Sequence, residues 1–389
     1  MKILLVAGAR PNFMKIAPIL REIEKYSSEL RGILVHTGQH YDQNMSDTFF
    51  KELGIKEPDY NLEVGSGSHA FQTAEIMVRF EEVCLKEKPD LVVVVGDVNS
   101  TIAAGLVAKK LHIKLAHVEA GLRSRDWSMP EEINRIATDS ITDLFFTTEK
   151  EGTDNLLKEG HTPETVHFVG HVMIDNLFYQ LKKFGDKVPS ELAENIKKRL
   201  PDKYICMTMH RPSNVDDEET LTRIIKALKA VSEKAPIIFP CHPRTKKQIE
   251  MFGFQGAFKT LTLNLSTLNT SINSVQAVEH LTNGIYLSEP LGYDDFLYLW
   301  KDAFCVITDS GGMQEETTAL KIPCITIREN TERPITVELG SNAVVGTDPE
   351  KIVEYCNKAL NKQWKESKIP ELWDGKASER IVEVIRNTI

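Results

Sequence analysis

The chain has 389 residues, 41% of them hydrophobic and 26% charged, with a formal net charge of -9. That length is too great for one ordinary core and comfortable for two, and the composition excludes a disordered or membrane-embedded chain. The acidic balance excludes an extended nucleic-acid surface, so any anion site must be local.

In chain order, Ile3 to Ala7 reads as a first buried strand. Its single flanking lysine and its early end at Gly8 and Arg10 are unlike a secretory leader, so a cytoplasmic chain is expected. No apolar stretch approaches the roughly 20 residues of a membrane-crossing helix, so no membrane partner is expected. Strands are expected next at Gly32 to His36, Leu91 to Val95, Ile113 to Val118, Leu144 to Thr147 and Val166 to Val169. The second half offers Tyr204 to Met209, Pro236 to Pro240, Ile285 to Leu287, Phe304 to Thr308, Cys324 to Ile327 and Ala343 to Val345. Helical patterns lie between them, among them Ala17 to Glu29 and Thr220 to Lys234, with apolar residues at helical spacing. This alternation predicts an α/β chain of two doubly wound parallel sheets.

The polar run Lys182 to Pro201 marks the passage between two domains, 1–185 and 186–371. Gly256 to Gly284, in which only Lys259, Glu279 and His280 can carry charge, is expected to be an insertion or elaborated loop. The six cysteines lie far apart with no Cys-x-x-Cys pair and read as reduced core residues.

In an open parallel sheet ligands bind beyond the carboxyl ends of the strands. Those ends carry Gly8, Arg10 and Lys15; His36, Gln39 and His40; Gly96 and Asp97; and His117 to Gly121. The second half adds His210 and Arg211, His242 to Arg244, and Asp309 to Gly312. Any one of these could be a helix cap or turn former, but their recurrence points to a site. Gly65-Ser66-Gly67 lacks the third glycine of a dinucleotide loop.

Asp309-Ser310-Gly311-Gly312-Met313-Gln314-Glu315-Glu316 turns from a buried strand into a helix, where free amides and the helix dipole attract phosphate. Glu316, one turn later, is placed to bond ribose hydroxyls. An ordinary cap followed by a tight turn explains the same segment. Arg10 and Lys15 would add fixed positive charge, or form a solvated helix start.

Gly8-Ala9-Arg10-Pro11 with Lys15, Gly96-Asp97, His117 to Arg123, Pro130 to Arg135, Asp309 to Glu316 and Thr331 to Pro334 together resemble the UDP-N-acetylglucosamine 2-epimerase family, from the first strand to about Gly346. The resemblance implies a GT-B-like fold: two Rossmann-like domains facing a central cleft, the first completed by the carboxy-terminal helix 372–389 and the second binding UDP. It implies interconversion of UDP-GlcNAc and UDP-ManNAc for cell-surface polysaccharide biosynthesis, with no cofactor, no metal and a homodimer. Ala9, Asn12 and Phe13 resemble a branch that includes diacetamido-uronic acid epimerases, whereas Thr331 to Pro334 look more like the GlcNAc enzymes.

Carbon 2 of an acetamido sugar has no adjacent ring carbonyl, so its hydrogen is not acidic until UDP leaves carbon 1 and oxocarbenium-like charge develops. By resemblance, Asp97 and Glu131 are the proton-transfer candidates, Glu119 and Lys15 lie close to the sugar, and Arg135 orients a carboxylate. Arg10, Ser310, Gly311, Gly312, Glu316 and Arg333 would bind the nucleotide, with His210 at the phosphates. Glu131 and Glu132 after Pro130 are equally read as an acidic first helical turn. Gln39, His40, Arg211 and His242 are candidates for a second nucleotide-sugar site. The rival readings are a GT-B glycosyltransferase, a hydrolysing epimerase and a UDP-sugar sensor.

Overall fold

The computed structural model describes residues 1–38, 47–185, 187–261 and 280–388. The chain divides into two compact units, Met1–Gln180 with Glu371–Ile389, and Leu181–Pro370.

In the first unit β1 (Lys2–Ala7), β2 (Arg31–His36), β3 (Tyr60–Asn61), β4 (Leu91–Val95), β5 (Lys114–Val118), β6 (Leu144–Thr147) and β7 (Val166–Phe168) form one parallel sheet. Their order is β3-β2-β1-β4-β5-β6-β7. β4 is a run of Leu and Val buried on both faces, as a central parallel strand must be. Connections diverge between β1 and β4, and a crevice opens beyond the carboxyl ends of strands at such a switch point.

The first helix spans Arg10–Glu24, starting earlier than its apolar spacing suggested. Pro11 sits in the first turn, where its missing N–H costs nothing. Asn12 Oδ1 accepts from the amides of Gly8 at 3.3 Å and Ala9 at 2.9 Å, which fastens the turn after β1. Pro18 lies inside the helix among buried neighbours.

The helix Ala377–Thr388 belongs to this unit. Its buried stripe is Ile381, Val382 and Ile385. Asp175 holds its first turn, accepting from Ala377 N at 3.0 Å, Ser378 N at 2.6 Å and Ser378 Oγ at 2.7 Å.

The second unit repeats the architecture with β8 (Ile205–Thr208), β9 (Ile237–Pro240), β10 (Lys259–Thr260), β11 (Ile285–Ser288), β12 (Cys305–Thr308), β13 (Cys324–Thr326) and β14 (Asn342–Val344). They are parallel, in the order β10-β11-β9-β8-β12-β13-β14. The switch point lies between β8 and β12. The strands pack on the helix Glu218–Ser232 through Leu221, Ile224, Ile225 and Leu228.

The sequence reading missed β3 and β10, each two residues long and too short to show alternation. The expected insertion at Gly256 to Gly284 contributes β10, and its residues 262–279 lie outside the described ones. All six cysteines are buried and free. Among the described residues no helix is long and apolar enough to cross a membrane.

Candidate active site

In the first unit the charged residues collect at the carboxyl ends of β1, β4 and β5 and on the helix Pro130–Asp139. Asp97 follows Gly96, which has a φ of +66° and could carry no side chain without approaching Lys15 Nζ at 3.3 Å. Arg135 reaches across from the helix, donating to Asp97 Oδ2 at 2.6 Å and to Glu132 Oε2 at 2.9 Å. Asn134 Nδ2 donates to the Asp97 carbonyl at 2.9 Å, so Asp97 is held by both main chain and side chain.

Glu132 and Glu131 have different surroundings. Glu132 is buried and accepts from the amides of Ser124 and Arg125, each at 2.9 Å. Burial pushes its carboxyl up, but those amides and Arg135 outweigh burial and hold it below the usual carboxylate range. It therefore anchors the loop before the helix, leaving half-buried Glu131 as the one of the pair not bound into that loop.

Glu119 is buried with a φ of 69°, a left-handed conformation uncommon outside glycine. The amides of Glu119 and Ala120 both donate to Phe146 O, at 3.0 and 3.2 Å, which holds the turn. Its Oε2 pairs with Lys15, and Oε1 lies 4.0 Å from Nε2 of buried His171. Arg10 is exposed, its guanidinium 4.9 Å from the centre of the Phe49 ring. His36 is pushed down to about 4 by burial and packs edge-on to Phe13, a core piece rather than a base. Gln39 and His40 lie outside the described residues.

In the second unit Asp309 is fully buried. Its Oδ2 accepts from the amides of His210 at 2.9 Å and Arg211 at 2.8 Å and from Asn214 Nδ2 at 3.2 Å, and Oδ1 lies 3.0 Å from His210 Nδ1. Burial pushes this carboxyl up, but the His210 bond and charge and the two amides win and hold it below its ordinary value.

The helix Gly311–Ala319 follows directly, with Ser310 at its amino cap and open space where a Gly311 side chain would stand. Such a start offers unsatisfied amides to an anion. Glu316 is buried and accepts from Tyr293 Oη at 2.7 Å. Arg333 pairs with Glu315, and Thr331 Oγ1 donates to Gln314 Oε1 at 2.6 Å, tying the loop before Pro334 to the same helix.

His242 caps the helix Pro243–Met251 with its ring centre 5.7 Å from that of His210. Burial first, then the charges of His210 and Arg244, keeps its pKa below the ordinary imidazole value. Arg211 Nε donates to Asp309 O at 3.0 Å. Arg211 and His242, read from sequence as part of a second site, thus share one cluster with His210. Among the described residues no three His, Cys, Asp or Glu side chains are grouped to hold a metal.

Several residues of these clusters were not singled out from sequence: Tyr293, His171, as an anchor Glu132, and Asp139, whose carboxyl oxygens lie 2.7 Å from His117 Nδ1 and 2.7 Å from Arg123 Nη1. A signal existed for two of them, because Glu132, Arg135 and Asp139 lie at i, i+3 and i+7 on one helix face.

Comparison with known proteins places the chain in a family. Residues 21–386 match the family profile described as UDP-N-acetylglucosamine 2-epimerase. A UDP-N-acetylglucosamine 2-epimerase of Methanococcus maripaludis is 41% identical over 390 residues, covering 99% of this chain and 98% of that protein. A UDP-2,3-diacetamido-2,3-dideoxy-D-glucuronate 2-epimerase of Pseudomonas aeruginosa is 38% identical, with 99% of each chain covered. The crystal structure of the Methanocaldococcus jannaschii UDP-GlcNAc 2-epimerase in complex with UDP-GlcNAc and UDP superposes with a TM-score of 0.80, at 40% identity and over 100% of both chains.

Proposed function

The chain belongs to the UDP-N-acetylglucosamine 2-epimerase family, and from that membership and the clusters above we propose that it interconverts UDP-GlcNAc and UDP-ManNAc by eliminating and re-adding UDP. The bond from carbon 1 to the diphosphate oxygen breaks with its electron pair going to UDP, and a carboxylate takes the carbon 2 proton. The products are 2-acetamidoglucal and UDP. Return of UDP to carbon 1 and of a proton to the opposite face of carbon 2 completes inversion, which calls for two acid/base groups.

Asp97 and Glu131 are assigned to proton transfer, with Arg135 orienting Asp97 and the Lys15–Glu119 pair beside the sugar. The amides of Gly311 and Gly312 and the Ser310 hydroxyl, with Arg10 and His210, stabilise the departing diphosphate. Glu316 binds ribose, and Arg333 fixes the loop beside the same helix. The observation that carries this reading is the Arg135–Asp97 contact at 2.6 Å, which fixes a carboxyl group at the switch point of the first sheet. A glycosyltransferase, whose base acts on the acceptor hydroxyl, needs no carboxylate pair able to exchange the carbon 2 hydrogen.

Proton NMR of the protein with UDP-GlcNAc in D2O tests the proposal. UDP-ManNAc carrying deuterium at carbon 2 is expected. Epimerisation without exchange, or accumulation of UDP with free N-acetylmannosamine, overturns it.

The 38% identity to the diacetamido-glucuronate epimerase, with Ala9, Asn12 and Phe13, supports a second reading in which that sugar is the substrate. Side-by-side kcat/KM on both sugars decides between them. We further infer a cytoplasmic homodimer; light scattering that returns one chain mass refutes the dimer. A second nucleotide-sugar site using Arg211 and His242 would give substrate activation, and hyperbolic kinetics count against it.

A further inference from the structure

Beneath the carboxylates of the first unit lies a charged group that the proposed chemistry does not use. His117, the fourth residue of β5, is fully buried. Its Nε2 lies 2.8 Å from the carbonyl oxygen of Gly96, and its Nδ1 lies 2.7 Å from Asp139 Oδ1. A carbonyl oxygen can only accept, so Nε2 carries a proton.

The state of Nδ1 follows from Asp139, which is 1% exposed. Asp139 Oδ2 accepts from Gly121 N at 3.0 Å and lies 2.7 Å from Arg123 Nη1, donors that favour a carboxylate. Burial pushes that carboxyl up, but His117 and Arg123 outweigh burial and hold it below its ordinary value. An ionised Asp139 has no proton to offer, so Nδ1 must donate as well.

We propose that His117 donates from both ring nitrogens and, as an imidazolium paired with Asp139, acts as the positioning residue for Asp97 and Glu119. Through Nε2 it holds the Gly96 carbonyl, one residue before Asp97. Through Asp139 it holds the amide of Gly121, whose φ of 79° and 2.2 Å clearance to Gly152 O admit no side chain. The turn containing Glu119 is thereby clamped between His117 and Gly121, and Asp139 sits on the same helix that delivers Glu131 and Arg135. One buried cation therefore sets the spacing of every carboxylate assigned to the sugar. Arg123 completes the balance by pairing with Glu159 at 2.6 Å as well as Asp139. Its place in catalysis rests on the epimerase reading; its charge state does not.

Nitrogen NMR of protein labelled only at histidine, in neutral buffer, reads that charge state without any turnover. Two protonated ring nitrogens are expected for His117, identified by their loss in His117→Gln. One protonated and one bare nitrogen overturns the proposal. The positioning role is read from His117→Gln and Asp139→Asn on whichever UDP-sugar the native enzyme turns over. kcat is expected to fall about a hundredfold, as for small misplacements of reacting groups, with KM little changed. Unaltered kcat in a folded variant overturns that role. If His117→Gln fails to fold, through-bond assignment of the histidine rings in the native protein identifies its nitrogens instead, and the same two outcomes decide the proposal.

Discussion

The guanidinium of Arg135 donates to the carboxylate of Asp97 at 2.6 Å while its other arm holds Glu132, three residues earlier on the same helix, at 2.9 Å. One side chain thus couples a strand-end carboxylate to the loop 124–125 through a buried anion. Lysine, a single point charge, cannot serve both partners in that planar geometry. Arg135→Lys is expected to lower kcat about a hundredfold, and Arg135→Met to cost about 3 kcal/mol of stability by leaving buried Glu132 with its two amide donors but no counter-charge. Steady-state kinetics and urea denaturation measure the two effects, and native values for both would refute the coupling.

The Tyr293 hydroxyl donates to Glu316 at 2.7 Å on a helix assigned to the nucleotide. Tyr293→Phe removes only that bond, worth about 1 kcal/mol. UDP affinity by calorimetry is expected to fall about fivefold with kcat nearly unchanged. A fall in kcat with native affinity would assign Tyr293 elsewhere.

Asp309 fastens the His210–Arg211 turn through two amides and places His210 by its ring. Asp309→Asn keeps the size but substitutes a weaker, neutral acceptor and presents an amide that cannot complement a protonated His210. UDP affinity and kcat should fall together, by about tenfold or more. A change confined to thermal stability would leave Asp309 a purely structural staple.

Glu132 sits below the usual carboxylate range in the folded chain because its donors outweigh burial. A depressed carboxyl stabilises the fold at pH above its unfolded value of about 4.3, and that contribution is lost as pH falls through the lower folded value. Denaturant titrations of the native protein should lose stability on acidification through that window. Glu132→Gln should flatten the limb, and an unchanged slope would show that other acids control it.

Asp175 accepts three bonds from the first turn of the carboxy-terminal helix. Asp175→Ala strips that cap and should cost about 2 kcal/mol. Limited proteolysis should then cleave the helix Ala377–Thr388 first, and uniform digestion would argue against a local cap.

What the sequence determined by itself was most of the elements and the strand-end turns at which candidate residues collect. Alternating β-branched runs and helical stripes are local patterns, and so are Gly96-Asp97 and Asp309 to Glu316, whose turn chemistry is written in consecutive residues. Local reading failed where a pattern was too short, as for β3 and β10, and where a helix expected from Ala17 begins at Arg10. Only the tertiary structure decided which acid is an anchor. Glu131 and Glu132 are indistinguishable in sequence, yet Glu132 alone meets the amides of Ser124 and Arg125. The same holds for Tyr293 with Glu316 and for His117 with Asp139, partners 23 and 22 residues apart. Such pairs exist because strand order brings distant turns to one end of a sheet, and burial there makes each polar group depend on the partner that folding supplies.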